Sequence, residues 1–210
     1  MDADSKKLSH QDKELLNKAT SVGAKGAALV LSKMIRTSID VTFPDFELVR
    51  FDNIASAELY RGKMVSFVFS RFHGDVEGTA SLLFSDESTL TILKALLNRE
   101  LSSLNDLETI DFSIIKETGN ILIGSFLNAL CDTFDLTILP TVPDVAVDYL
   151  SAIMDSFSSF LCTDDQEQLI SVKTELTAHK HKDSVFGLML LFFDPSLDPT
   201  ILFRAKNPLP

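Results

Sequence analysis

One stretch of this sequence sets a hydroxyl, an acid and an amide at helical spacing: Asp111-Phe112-Ser113-Ile114-Ile115-Lys116-Glu117-Thr118-Gly119-Asn120. An α-helix turns about 100° per residue, so Ser113, Glu117, Asn120 and Gly124 fall in one stripe roughly 60° wide. Phe112, Ile115, Leu122, Phe126, Ala129 and Leu130 lie on the opposite face, which must turn toward a core. An ionised carboxylate accepts hydrogen bonds, whereas an amide both donates and accepts and does not titrate. The stripe therefore has the groups to hold a water or grip a polar partner. Ile114 and Ile121 flank it and suit a docking surface. On geometry alone the stripe also reads as the solvated face of an ordinary amphipathic helix, which is the commoner case.

The elements that position this stripe follow from the patterns around it. Leu107 to Phe134 reads as a long helix. An earlier long helix runs from Ser9, a candidate cap, to Arg36. Strands are expected at Ile39–Phe43, stopped by Pro44, and at Glu47–Phe51. Lys63–Phe72 and Val76–Phe84 form a hairpin about His73-Gly74-Asp75. Ser85 or Asp86 caps a helix that ends at Leu97. After the second long helix come a strand at Leu136–Leu139, a helix over Val145–Leu161, and strands at Leu169–His179 and Ser184–Phe193. The order long helix, strand, proline, strand pair thus occurs twice. A shift of 99 residues lays Lys18 on Glu117 and Pro44 on Pro143. The expected class is α+β. Two similar halves, about 9–98 and 107–203, close as one domain over residues 1–210, forming one antiparallel sheet with helices on one side.

The second long helix resembles the CheC, CheX and FliY phosphatases of bacterial and archaeal chemotaxis. Their motif is Asp or Ser, three residues, Glu, two residues, Asn, twenty-two residues, Pro. Here Ser113, Glu117, Asn120 and Pro143 keep every spacing, and the run Glu117 to Leu130 resembles the family's second site helix. Val22 to Met34 resembles its first site helix, but the motif positions there carry Glu14, Lys18 and Ser21, with only Pro44 kept. The resemblance thus implies a lost first site and an intact second one. It further implies hydrolysis of the aspartyl phosphate on a CheY-type receiver domain, which brings its own Mg²⁺ and a conserved Lys. On that scheme no cofactor of this chain's own is expected. In that scheme Asn120 holds the attacking water and Glu117 pairs with the receiver's Lys. Ser113 is a peripheral contact, and Pro143 shapes the strand that follows. The alternative is a noncatalytic module that binds a receiver, a CheD-type receptor deamidase or the flagellar switch. The chain ends without the flagellar domain that FliY-like members usually add, which favours the stand-alone enzyme. The two-half layout resembles CheC members, so a monomer is expected.

Composition narrows the partners. A formal charge of -11 disfavours nucleic acid and anionic membrane, both of which need clustered Lys and Arg. No apolar run is long enough to span a bilayer, and Met1 to His10 is polar, unlike a signal peptide. Cys131 and Cys162 sit in apolar helical patterns and read as free thiols in a reducing compartment, so a cytoplasmic protein is expected. His179 and His181 alternate as a metal pair would, but without a third ligand they read as a solvated hairpin end, and no metal site is expected. Gly23-Ala24-Lys25-Gly26 lacks the remainder of a P-loop and reads as a close-packing site.

Overall fold

The structure, a computed structural model, describes residues 10–36, 38–43, 46–50, 53–54, 60–161, 168–178 and 184–193. Ser9, Pro44, Cys162, His179 and His181 lie outside them. Within the described residues the order is α1 (His10–Ile35), β1 (Ile39–Thr42), β2 (Phe46–Arg50), β3 (Met64–Gly74), β4 (Gly78–Ser85), α2 (Asp86–Leu97), a 3₁₀ turn (Leu104–Asp106), α3 (Thr109–Phe134), β5 (Ile138–Pro140), β6 (Asp144–Tyr149), α4 (Leu150–Leu161), β7 (Gln168–Ala178) and β8 (Ser184–Phe193).

The strands share one sheet of order β1-β7-β8-β4-β3-β5, with β2 also on β7 and β6 also on β3. All of these pairs are antiparallel. The fold is α+β with pseudo-two-fold symmetry, and the halves exchange their short strands. β1 and β2 line the outer edge of β7, while β5 and β6 line the outer edge of β3. The halves meet where β4 pairs β8, from Gly78 opposite Phe193 to Phe84 opposite Gly187. Gly187 leaves room for the Phe84 ring, since a Cβ there would come within 2.7 Å of Phe84 Cε1.

Side chains alternate across the sheet. Val68, Phe72, Leu82, Phe84, Met189 and Leu191 face α1, α2 and α3 through Leu16, Leu31, Leu93, Ile115, Leu122 and Phe126. Val65, Phe67, Leu83, Leu190 and Phe192 point the other way and meet Leu150, Ile153, Met154 and Phe157 of α4. Phe157 stands edge-on to Phe67 at 5.0 Å and to Phe192 at 5.2 Å. The sheet is thus covered on both faces, so helices on one side alone is corrected. The reason lies in the central strands, which are apolar on both faces and need a second cover.

Two further expectations change. Val145–Leu161 is not one helix: Asp144–Tyr149 is strand β6, and the helix begins at Leu150. β6 satisfies the outer edge of β3 from Met64 to Phe69, a demand that local pattern does not reveal. In the hairpin, β3 runs on through His73 and Gly74, which pair with Leu139 and Ile138, so the turn is shifted to Asp75–Glu77. Gly74 has φ +134°, and a Cβ there would overlap the Thr137 carbonyl oxygen.

Candidate active site

Helix α3 is fixed at its start, middle and end. At its start the Glu108 backbone N–H donates to Asp111 Oδ2 at 2.8 Å, and the Asp111 N–H donates to the Glu108 carbonyl at 2.9 Å. Arg99 bridges both acids, with Nη2 2.8 Å from Glu108 Oε1 and Nη1 3.1 Å from Asp111 Oδ2. Asp111 is fully buried, so this pairing offsets an otherwise costly carboxylate. Sequence reading missed the clamp. Its signal was the three-residue spacing of Glu108 and Asp111, the spacing of a capping box.

In its middle, α3 lies directly on the sheet. A Cβ on Gly119 would sit 2.6 Å from Val68 Cγ1, closer than real contacts allow. On its flank α3 meets α1, where a Cβ on Gly23 would be 3.1 Å from the Ser125 carbonyl oxygen. At its end Asp135 takes the left-handed conformation with φ +56° and caps the Cys131 carbonyl.

So anchored, α3 turns Ser113, Glu117 and Asn120 outward, all three exposed. Ile115, Leu122, Phe126 and Leu130 are buried beneath them, and Phe112 is half-buried. Glu117 and Asn120 have no hydrogen-bond or ion-pair partner among the described residues. Their polar atoms therefore stay available to an outside ligand. Ser113 Oγ instead donates to the Thr109 carbonyl at 3.0 Å, which commits its proton to the helix and leaves it an acceptor. Ile114 and Ile121 flank the stripe half-buried.

Pro143 is buried and does not join this exposed stripe. It ends the segment 141–143, which passes Ser70 and Arg71 between the two stretches of β3 paired by β5 and β6. There Ser70 Oγ donates to the Thr141 carbonyl at 2.7 Å. On α1, Glu14, Lys18 and Ser21 are likewise exposed. The 99-residue shift carries the bounds of α1 onto those of α3, so the two helices present corresponding stripes of different chemistry. Pro44 lies outside the described residues.

Burial pushes the Cys131 thiol above its ordinary range, away from a reactive thiolate. Among the described residues, no three His, Cys, Asp or Glu side chains cluster as a metal site requires, and no helix is long and apolar enough to cross a membrane.

Residues 112–147 match the model of the CheC-like family, a span that contains Ser113, Glu117, Asn120 and Pro143. Over 189 residues the chain is 24% identical to the CheY-P phosphatase CheC of Bacillus subtilis strain 168, covering 89% of this chain and 90% of that one. The fold is similar to that of Thermotoga maritima FliY, with a TM-score of 0.73, 16% identity and coverage of 94% and 95%. It is similar as well to a chain of the FliG–FliM complex from H. pylori, with a TM-score of 0.63, 12% identity and coverage of 89% and 94%. The matched segment and the relative that spans most of its length thus make the chain similar to the CheC-like family, and its fold is the one seen in FliY.

Proposed function

We propose that this chain is a phosphatase that hydrolyses the aspartyl phosphate of a CheY-type receiver domain. One observation carries the reading: Glu117 and Asn120 stand exposed, with no partner among the described residues, one turn apart on a helix held rigid against the sheet. The B. subtilis relative bears the name of such a phosphatase, which supports it.

Phosphoryl transfer asks for positioning and charge stabilisation more than covalent chemistry. Asn120 binds a water through its amide and aligns it opposite the leaving carboxylate, without exchanging a proton. Glu117 accepts from the receiver's Lys and fixes the docked register. The receiver's own Mg²⁺ neutralises charge on the phosphoryl oxygens. On α1, Lys18 would face the receiver's Lys with like charge, and Ser21 is too short to reach the same water, so the first site is inactive.

The test is to phosphorylate a CheY-type receiver with a small-molecule phosphodonor in the presence of Mg²⁺, then follow phosphate loss with and without this chain. Faster loss that vanishes in Asn120→Ala supports the reading, and an unchanged rate with the native chain refutes it. A second reading, the noncatalytic binding module, draws on the exposed apolar stripe of α1. There Val22, Leu29, Val30 and Met34 are 46%, 58%, 45% and 37% exposed, as a protein-docking face would be. Binding of the receiver without faster phosphate loss would select it.

A further inference from the structure

The four glycines of the two long helices differ in what surrounds them. Gly23 and Gly119 are required by this chain's own packing, since a Cβ on either would press into α3 or into Val68. Gly26 has room for a side chain, with Ser125 Oγ at an ordinary 3.7 Å. Gly124 differs from all three: a Cβ there would meet nothing within 4 Å. Glycine is the poorest helix former after proline, and Gly124 sits in the middle of α3 with no internal reason for its cost. It lies one turn beyond Asn120 on the same stripe.

The other half of the molecule supplies an internal comparison. The positions of Glu117, Asn120 and Gly124 correspond on α1 to Lys18, Ser21 and Lys25, all exposed. The helix that lacks the acid and the amide also fills this bare point with a long side chain.

We propose that Gly124 is a docking notch, where the backbone of the receiver domain comes into van der Waals contact with α3 and so sets how deeply Asn120 enters the receiver's site. The proposal rests on the receiver-docking part of the phosphatase reading. Gly124 acts as a positioning residue and takes no part in the chemical step.

The test compares the native chain with Gly124→Ala, Gly124→Leu and Gly124→Lys. Three quantities are read: the melting temperature, the Kd for a CheY-type receiver loaded with Mg²⁺ and beryllofluoride, and the KM and kcat of dephosphorylation. All three variants are expected to melt at or above the native temperature, because each is a better helix former than glycine. Gly124→Leu and Gly124→Lys are expected to raise Kd and KM by about tenfold or more, with Gly124→Ala between them and the native chain. Leu separates volume from charge. A native Kd in Gly124→Leu overturns the notch, as does a Kd loss accompanied by a lower melting temperature, which would mark a structural role. If the native chain binds the receiver without hydrolysing its phosphate, the enzymatic reading fails and Kd alone decides the notch. A native chain that does not bind the receiver overturns both.

Discussion

Glu117 and Asn120 differ in what their removal should change. On the proposed mechanism Asn120 contributes where the water attacks, so Asn120→Ala is expected to lower kcat by about 10²-fold or more, as loss of one transition-state contact does elsewhere. Glu117 is proposed to act on docking, so Glu117→Lys should chiefly raise KM by setting like charges together. Both side chains are exposed and have no partner among the described residues, so denaturant unfolding should shift by no more than about 0.5 kcal/mol. Lys18→Ala and Ser21→Ala should leave the rate as it is. A separate residue gives the molecule an alkaline limit. Burial pushes the Tyr60 phenol from 10.0 to about 12. The unfolded chain releases that proton first, so the stability tied to neutral Tyr60 is whole below pH 10 and drains away as pH rises to about 12. Over that window the native chain should lose roughly 2–3 kcal/mol more than Tyr60→Phe, measured by urea unfolding at each pH.

At the scale of elements, the candidate stripe depends on contacts beneath it. Gly119 lets α3 settle on Val68, and Gly119→Ala should cost about 1–3 kcal/mol, because the added methyl meets a β-branched side chain in a packed core. Val68→Ala in the same chain should recover part of that loss. If Gly119→Ala melted like the native protein, α3 would be less tightly seated than the geometry requires. The outward stripe itself was legible from sequence, because a 3.6-residue period is local information. The start of α2 was legible to within one residue, Ser85 or Asp86, and it is the Ser85 Oγ that accepts from the Ser88 N–H. Strand β6 was not legible. Val145-Ala146-Val147 followed by an apolar helix fits one continuous helix equally well, and only the open edge of β3, some 80 residues earlier, decides for a strand. The seating of Gly119 was hidden for the same reason: its neighbour Val68 is distant in sequence.

At the scale of the molecule, the two-half pattern was readable from the coincidence of Pro44 with Pro143 and of Lys18 with Glu117, and α1 and α3 keep that register to the residue. The exchange of short strands was not readable, because nothing in β1 or β5 names the strand it pairs. Yet the exchange has the larger consequence. The first half alone would leave the outer edge of β3 without β5 and β6, and would deprive Val68 of α3. The second half alone would lose β1 and β2 from β7 and the α1 face from α3. Each would also expose the β4–β8 seam. Unpaired edges and uncovered apolar faces of that extent are incompatible with a stable small domain. Chains of residues 1–106 and 107–210, prepared separately, should therefore show neither cooperative thermal unfolding nor dispersed amide resonances. Mixed in equal amounts, they should regain both. Cooperative melting of either piece by itself would contradict the shared core on which the seating of Glu117 and Asn120 depends.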